Sequence, residues 1–220
     1  SSEGVYICNN KNKLNKNFFE LKKSLNYNNV LIENYIKGKE YSVESFTINN
    51  ITKILAISEK VKPVKHIPVA TRLDFNYPIN NFIKHKIEFY VKKVLLRLGV
   101  TNGPCHTEVI LSNGSINLVE TTTRGGGFGI SSHIIKLTSG FDQSLAIINQ
   151  SLGKEVSFKN LFRKPTSLCF FYNKKGFIKN ICGLNEIKKI KNIEKIEVFY
   201  KKNDYYEGLV SDRGRLGYFI

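Results

Sequence analysis

Glu108, Glu120 and Arg124 lie close together in the chain, and Gly125, Gly126 and Gly127 follow the arginine directly. Between the two acids stands Asn113-Gly114, a strong short-range hairpin signal. Each glutamate is about six residues from that turn, so the pair should face each other across a ladder with side chains ~5 Å apart. Two carboxylates so placed repel unless a cation lies between them. Two oxygen donors suit Mg²⁺, which keeps several waters and takes further ligands from phosphates. Arg124 offers a fork that can hold a phosphate or carboxylate at two points, and the glycines let backbone approach such a ligand closely. The same residues also read as edge-strand acids beside a loop arginine.

Hydrophobic spacing supplies the elements that would carry these residues. Residues 106–111 and 115–120 read as the hairpin arms. Ahead of them, residues 82–98 read as a helix with Ile83, Ile87, Val91, Val94, Leu95 and Leu98 on one face, stopped by Gly99. A second hairpin is expected from strands 41–48 and 51–58 about Asn49-Asn50. Residues 5–8 and 30–36 read as strands and 12–25 as a helix, while 63–81, with Pro63, Pro68 and Pro78, reads as an irregular loop. Asp142 opens a helix over 142–152, and short strands at 167–172, 177–182, 193–200 and 216–220 with a helix near 185–191 complete the chain.

The 220 residues suffice for a sizeable core, and 41% hydrophobic content excludes wholesale disorder. No apolar run approaches the ~20 residues of a membrane span, and the first residues do not resemble a signal peptide. The net charge of +16 suggests nucleic acid first. Residues 1–150 and 151–220 each carry a net +8, so the charge is denser in the tail, but Lys enrichment runs through the whole chain. Lys188, Lys189, Lys191 and Lys195 read as one solvated helical face, and residues 101–135 hold a single basic residue other than histidine, Arg124. A nucleic-acid partner is therefore not expected; Phe170, Phe171, Tyr172 and Lys174 hint at one only weakly. Cys8, Cys105, Cys169 and Cys182 have irregular spacing and form no CxxC pair, as expected of reduced thiols in the cytoplasm.

Four segments, in order, resemble the ATP-grasp ligases. Residues 31–44, Leu-Ile-Glu-Asn-Tyr-Ile-Lys-Gly-Lys-Glu-Tyr-Ser-Val-Glu, resemble the family's adenine hinge. His106-Thr107-Glu108, the Asn113-Gly114 turn and Glu120-Thr121-Thr122-Thr123-Arg124-Gly125-Gly126 resemble its distal strand pair. Ser139-Gly140-Phe141-Asp142 matches its helix start, and Arg215-Leu216-Gly217-Tyr218 resembles the closing region of carboxylate–amine ligases of this type. The resemblance implies an α+β chain: a partial ATP-grasp fold of two antiparallel β-sheets with flanking helices, plus a small C-terminal α+β subdomain. The expected division is a small lobe over 1–60, a large lobe with the metal site over 61–155, and the subdomain over 156–220.

The resemblance also implies roles. Glu33 and Asn34, with the backbone of Tyr35 and Ile36, would frame adenine, and Glu40 would accept from ribose hydroxyls. Glu108, Glu120 and Thr122 would hold Mg²⁺. Arg124 would steady the acyl phosphate or acid substrate, with His106 as a second catalytic candidate. Lys60 and Lys62 read as exposed strand-end lysines with a lesser prospect of reaching phosphate, His66 as a weaker substrate-site candidate, and Cys105 as packing. The implied activity is ATP- and Mg²⁺-dependent carboxylate–amine (or –thiol) ligation through an acyl phosphate, releasing ADP. Small acids and amines would be its substrates, no membrane its partner, and a homodimer one arrangement.

Two departures from the family stand out. Thr122 occupies a position usually held by Asn, and a hydroxyl is the poorer metal ligand. Ser1 to Val5 resembles the end of the phosphate loop, so its upstream lysines and the preceding N-terminal domain would be missing, and the isolated chain would turn over ATP poorly. With no Met anywhere, a processed, cleaved or cloned origin is expected. The alternative reading is a non-catalytic nucleotide-binding or interaction domain that kept the fold.

Overall fold

A computed structural model describes residues 4–25, 29–62 and 69–220. His66 and the first three residues lie outside the described residues. The chain runs α1 (Lys11–Leu25), β1 (Lys39–Ile48), β2 (Ile51–Val61), β3 (Arg72–Phe75), α2 (Asn81–Arg97), β4 (Gly103–Ser112) and β5 (Ser115–Thr122). A π turn (Ile130–Ile134) leads into α3 (Ile135–Ser139), followed by α4 (Gln143–Ser151), β6 (Thr166–Phe171), β7 (Gly176–Phe177), α5 (Leu184–Lys188), β8 (Ile196–Val198), β9 (Tyr205–Tyr206) and β10 (Gly217–Phe219).

Eight strands form one antiparallel sheet in the order β5-β4-β1-β2-β3-β6-β10-β8, and β7 pairs with β9 in a small second sheet. The strands after residue 165 thus extend the main sheet through the β3–β6 pairing. Both expected hairpins form. Asn49 and Asn50 have φ of 48° and 68°, Asn113 and Gly114 of 47° and 74°, the doubly left-handed turn whose twist matches that of paired strands.

Central strand β1 is buried almost throughout because both faces of the sheet are covered. On one face, Tyr41, Val43, Ile57, Cys105 and Val109 pack against Ile87, Val91 and Leu95 of α2. On the other, Phe46, Ala56, Phe75, Leu168 and Phe170 pack with Ile130, Ile134, Ile135 and Phe141. Asn80 caps α2, accepting from the Phe82 amide at 2.9 Å. Asp142 caps α4, accepting from the Leu145 amide at 3.0 Å.

Several expectations are corrected. Residues 5–8 and 30–36 form no strand. Leu31, Ile32 and Tyr35 are exposed, and β-propensity without a surface to pack on does not make a ladder. The loop expected over 63–81 contains β3, whose alternation buries Leu73 and Phe75. Residues 130–139 form the π turn and α3, where the sequence showed only the end of a glycine-rich loop. The strand at 177–182 shrinks to two residues and that at 193–200 to three.

Phe46 is fully buried on β1, its ring centroid 5.1 Å from that of Phe141. Phe46→Ala is expected to cost about 3–5 kcal/mol, read as a lower urea midpoint with an unchanged slope.

Candidate active site

One face of β4 carries His106 and Glu108, and one face of β5 carries Glu120 and Thr122. The register pairs Glu108 with Glu120 and His106 with Thr122. That opposition depends on a bulge. From the turn outward, Leu111 pairs with Ile116 and Val109 with Leu118, but between Val109 and Glu108 the register shifts by one and Val119 is left over. Without the bulge Glu108 would face Val119, and Glu120 would point to the opposite face of the sheet. Thr107 and Thr121 occupy that opposite face, their hydroxyls 2.8 Å apart.

Glu108, Glu120, His106 and Arg124 line a cleft of about 1300 Å³. Glu33, Asn34, Tyr35 and Ile36 line it as an irregular, largely exposed segment, together with Glu40. A smaller hollow of about 140 Å³ near Pro78 and Arg163 contains none of these residues. Glu40 is ion-paired with Lys62. Arg124 is exposed, with Nη1 donating to its neighbour's carbonyl, Gly125 O, at 3.0 Å.

Lys60 was expected to be exposed. Instead its ammonium is ion-paired with Glu108 Oε1, the two side chains being only 15% and 18% exposed. His106 is buried between two acids. Its Nε2 lies 3.3 Å from Glu108 Oε1, and its Nδ1 is bonded to Glu44 Oε1. Glu44, which the sequence reading left as the end of the hinge segment, is 0% exposed, and its Oε2 accepts from the Gly126 amide at 3.2 Å.

Three groups titrate far from their usual ranges. Burial works against the charged form of His106, but the hydrogen bonds and charges of Glu108 and Glu44 outweigh it and raise the imidazole to about 9. Burial also opposes ionisation of Glu108, yet His106 and Lys60 hold its carboxyl down to about 2. Burial, aided by the charge of Glu44, pushes the Cys105 thiol up to about 11. Cys105 therefore stays a protonated packing group, as expected.

The glycine-rich loop lies tightly against this cluster. A Cβ on Gly126 would stand 2.8 Å from Glu44 Oε1 and 3.0 Å from Ile130. Phe128 adopts φ 51°, a left-handed backbone that a bulky side chain takes only under constraint. Its ring meets Phe170 at 5.2 Å. The Arg215 guanidinium stacks on both rings, 4.6 Å from Phe128 and 3.7 Å from Phe170. Arg215 also reaches Asp212 at 2.9 Å and Ala70 O at 2.8 Å.

These residues suit Mg²⁺. Lys60 and His106 both engage Oε1 of Glu108, leaving Oε2, and the exposed Glu120 carboxylate stands opposite. Among the described residues no three His, Cys, Asp or Glu side chains converge on a metal cage. A two-carboxylate site completed by water and phosphate is the pattern Mg²⁺ accepts.

The same fold occurs in L-amino acid ligase from Bacillus licheniformis, with TM-score 0.84 and 20% identity over 98% of this chain and 56% of that one. It occurs in phosphoribosylglycinamide synthetase from Anaerococcus prevotii, with TM-score 0.73 and 18% identity over 100% and 56%. It also occurs in biotin carboxylase from Campylobacter jejuni, solved as a β,γ-ATP complex, with TM-score 0.68 and 12% identity over 100% and 50%. This chain thus spans little more than half the length of these proteins. Residues 1–132 match the family described as ATP-grasp domain, and the chain belongs to that family. No curated protein sequence matches the chain. Among the described residues no helix is long and apolar enough to cross a membrane.

His106 and Glu108 set the pH dependence below pH 9. His106 is raised from 6.5 to about 9, so its stabilisation is complete below pH 6.5 and is lost as pH rises to 9. Glu108 is lowered from 4.5 to about 2, so its contribution is present above pH 4.5 and is lost as pH falls to 2. The melting temperature is expected to fall between pH 6.5 and 9, and His106→Gln to flatten that decline. An unchanged slope in the variant would disprove the assignment.

Proposed function

We propose that this chain forms the nucleotide- and metal-binding core of an ATP-dependent carboxylate–amine ligase that releases ADP and phosphate. The observation that carries the reading is the opposition of Glu108 and Glu120 across the bulged ladder, on a cleft shared with the 33–36 segment and Arg124. Family membership supports it, as do the fold relatives: two are a ligase and a synthetase, and the third was solved as a β,γ-ATP complex.

In the proposed reaction a substrate carboxylate oxygen attacks the γ-phosphorus of ATP and ADP leaves. An amine then displaces phosphate from the acyl phosphate, forming the amide. Glu108 and Glu120 would hold Mg²⁺, with the Thr122 hydroxyl or a water in the place an Asn fills elsewhere in the family. The metal, when bound, neutralises phosphate charge. Arg124 would hold the reacting carboxylate or acyl phosphate and offset the negative charge of transfer. Glu33 and Asn34, with the backbone of Tyr35 and Ile36, would frame adenine, and Glu40 would accept from the ribose with Lys62 as its counter-ion. His106, with both ring nitrogens engaged by acids, orients Glu108 rather than touching substrate. We divide the work among residues 1–60, 61–155 and 156–220, the last joined edge-on to the main sheet, and place the protein in the cytoplasm, in keeping with its four free cysteines.

Thr122 favours a second reading, a nucleotide-binding domain without turnover. Calorimetric titration of the chain with ATP and Mg²⁺ tests the first. Glu120→Gln is expected to weaken metal-dependent binding about tenfold, in line with the loss of one charged ligand worth about 1.5 kcal/mol. Glu33→Ala should weaken binding with and without metal alike. A folded chain showing no metal-dependent binding would overturn the site.

A further inference from the structure

Glu44 is a fully buried carboxylate, and such a charge persists only where its partners replace the lost water. It has two partners, both remote in sequence. Oε1 is bonded to His106 Nδ1, and Oε2 accepts from the Gly126 amide at 3.2 Å. With both oxygens engaged and no exposed surface, Glu44 is not itself a ligand for anything in the cleft.

What those partners do gives the residue its interest. His106 reaches Glu108 at 3.3 Å, so Glu44 sets the imidazole that sets the carboxylate. Gly126 stands two residues after Arg124, in a loop that turns through the strained Phe128, and such a backbone needs its surroundings to hold it. Gly126 has no room for a side chain, because Glu44 lies against it. The chain of alternating partners is Lys60, Glu108, His106, Glu44 and the Gly126 amide. Near one end is the carboxylate opposite Glu120, and at the other is the loop that carries the arginine.

We propose that Glu44 is a positioning residue that fixes the metal carboxylate Glu108 and the Arg124 loop relative to each other, so that Mg²⁺-bound nucleotide meets both in register. This rests on the metal-nucleotide reading above. Supporting partners of metal-ligating groups typically change metal affinity ~10–100-fold when removed. A buried acid that served only the core would instead change stability and leave the metal dependence alone.

The test uses the full chain with ADP as probe, titrated with and without Mg²⁺, alongside hydrogen exchange at the Gly126 amide. Glu44→Gln keeps the shape and removes the charge. It is expected to leave metal-free ADP affinity within about twofold of wild type, to reduce the Mg²⁺ enhancement about tenfold, and to speed Gly126 exchange. His106→Gln should reduce the enhancement similarly, and the double variant should lose no more than the larger single loss, as members of one unit do. If Glu44→Gln fails to fold, His106→Gln carries the test, because it cuts the same chain of partners one link nearer Glu108. A Mg²⁺ enhancement unchanged in the folded variants overturns the proposal, and so does an equal loss of affinity with and without metal. A wild-type chain that shows no Mg²⁺ enhancement overturns the metal-nucleotide reading as well, and so separates the two failures.

Discussion

The register of β4 against β5 is the constraint on which the site depends. Side chains alternate across a strand, so a shift of one residue sends a whole row to the other face of the sheet. The left-handed pair Asn113 and Gly114 starts the register at the turn, and the bulge at Val119 resets it before the acids arrive. On the reverse face the Thr107–Thr121 hydroxyl pair ties the reset portion of the ladder together. Only with both devices in place do two like charges stand opposite each other on the cleft side. That arrangement costs energy by itself, and Lys60 and His106 offset it by pairing with Glu108.

The charges behind those acids are arranged to tolerate burial. Alternating signs from Lys60 through Glu108 and His106 to Glu44 give every buried charge an opposite neighbour. A low dielectric strengthens such contacts and also penalises any member left alone. The same arrangement explains why the imidazole stays charged to high pH while the carboxyl stays ionised to low pH. The cluster sits on central strands whose far face is sealed by α2, so the surrounding core leaves little freedom to relax.

The C-terminal portion contributes to the site from outside the family match. Through β6 and β10 it extends the main sheet, and it delivers Arg215 onto the rings of Phe128 and Phe170. The strained glycine-rich loop is thereby pinned from two sides, by Glu44 through Gly126 and by Arg215 through Phe128. Loops that must hold a charged side chain for a ligand are well served by such fixed anchors.

Local chemistry made much of the architecture legible in the sequence. Asn-rich turns announced both hairpins, apolar spacing announced α2, and Asp142 announced the cap of α4, because each feature depends on residues within a few positions of one another. The ATP-grasp resemblance was legible from short ordered motifs for the same reason. Residues 30–36 misled, since an apolar run reads as a strand whether or not a partner strand exists. Tertiary structure alone decided what required distant residues to meet. It buried Glu44 between His106 and Gly126, drew Lys60 onto Glu108, bent Phe128 under Arg215, and inserted the Val119 bulge that turns Glu120 toward Glu108. Those outcomes depend on burial and on cross-strand register, which arise only when segments far apart in the chain share one sheet.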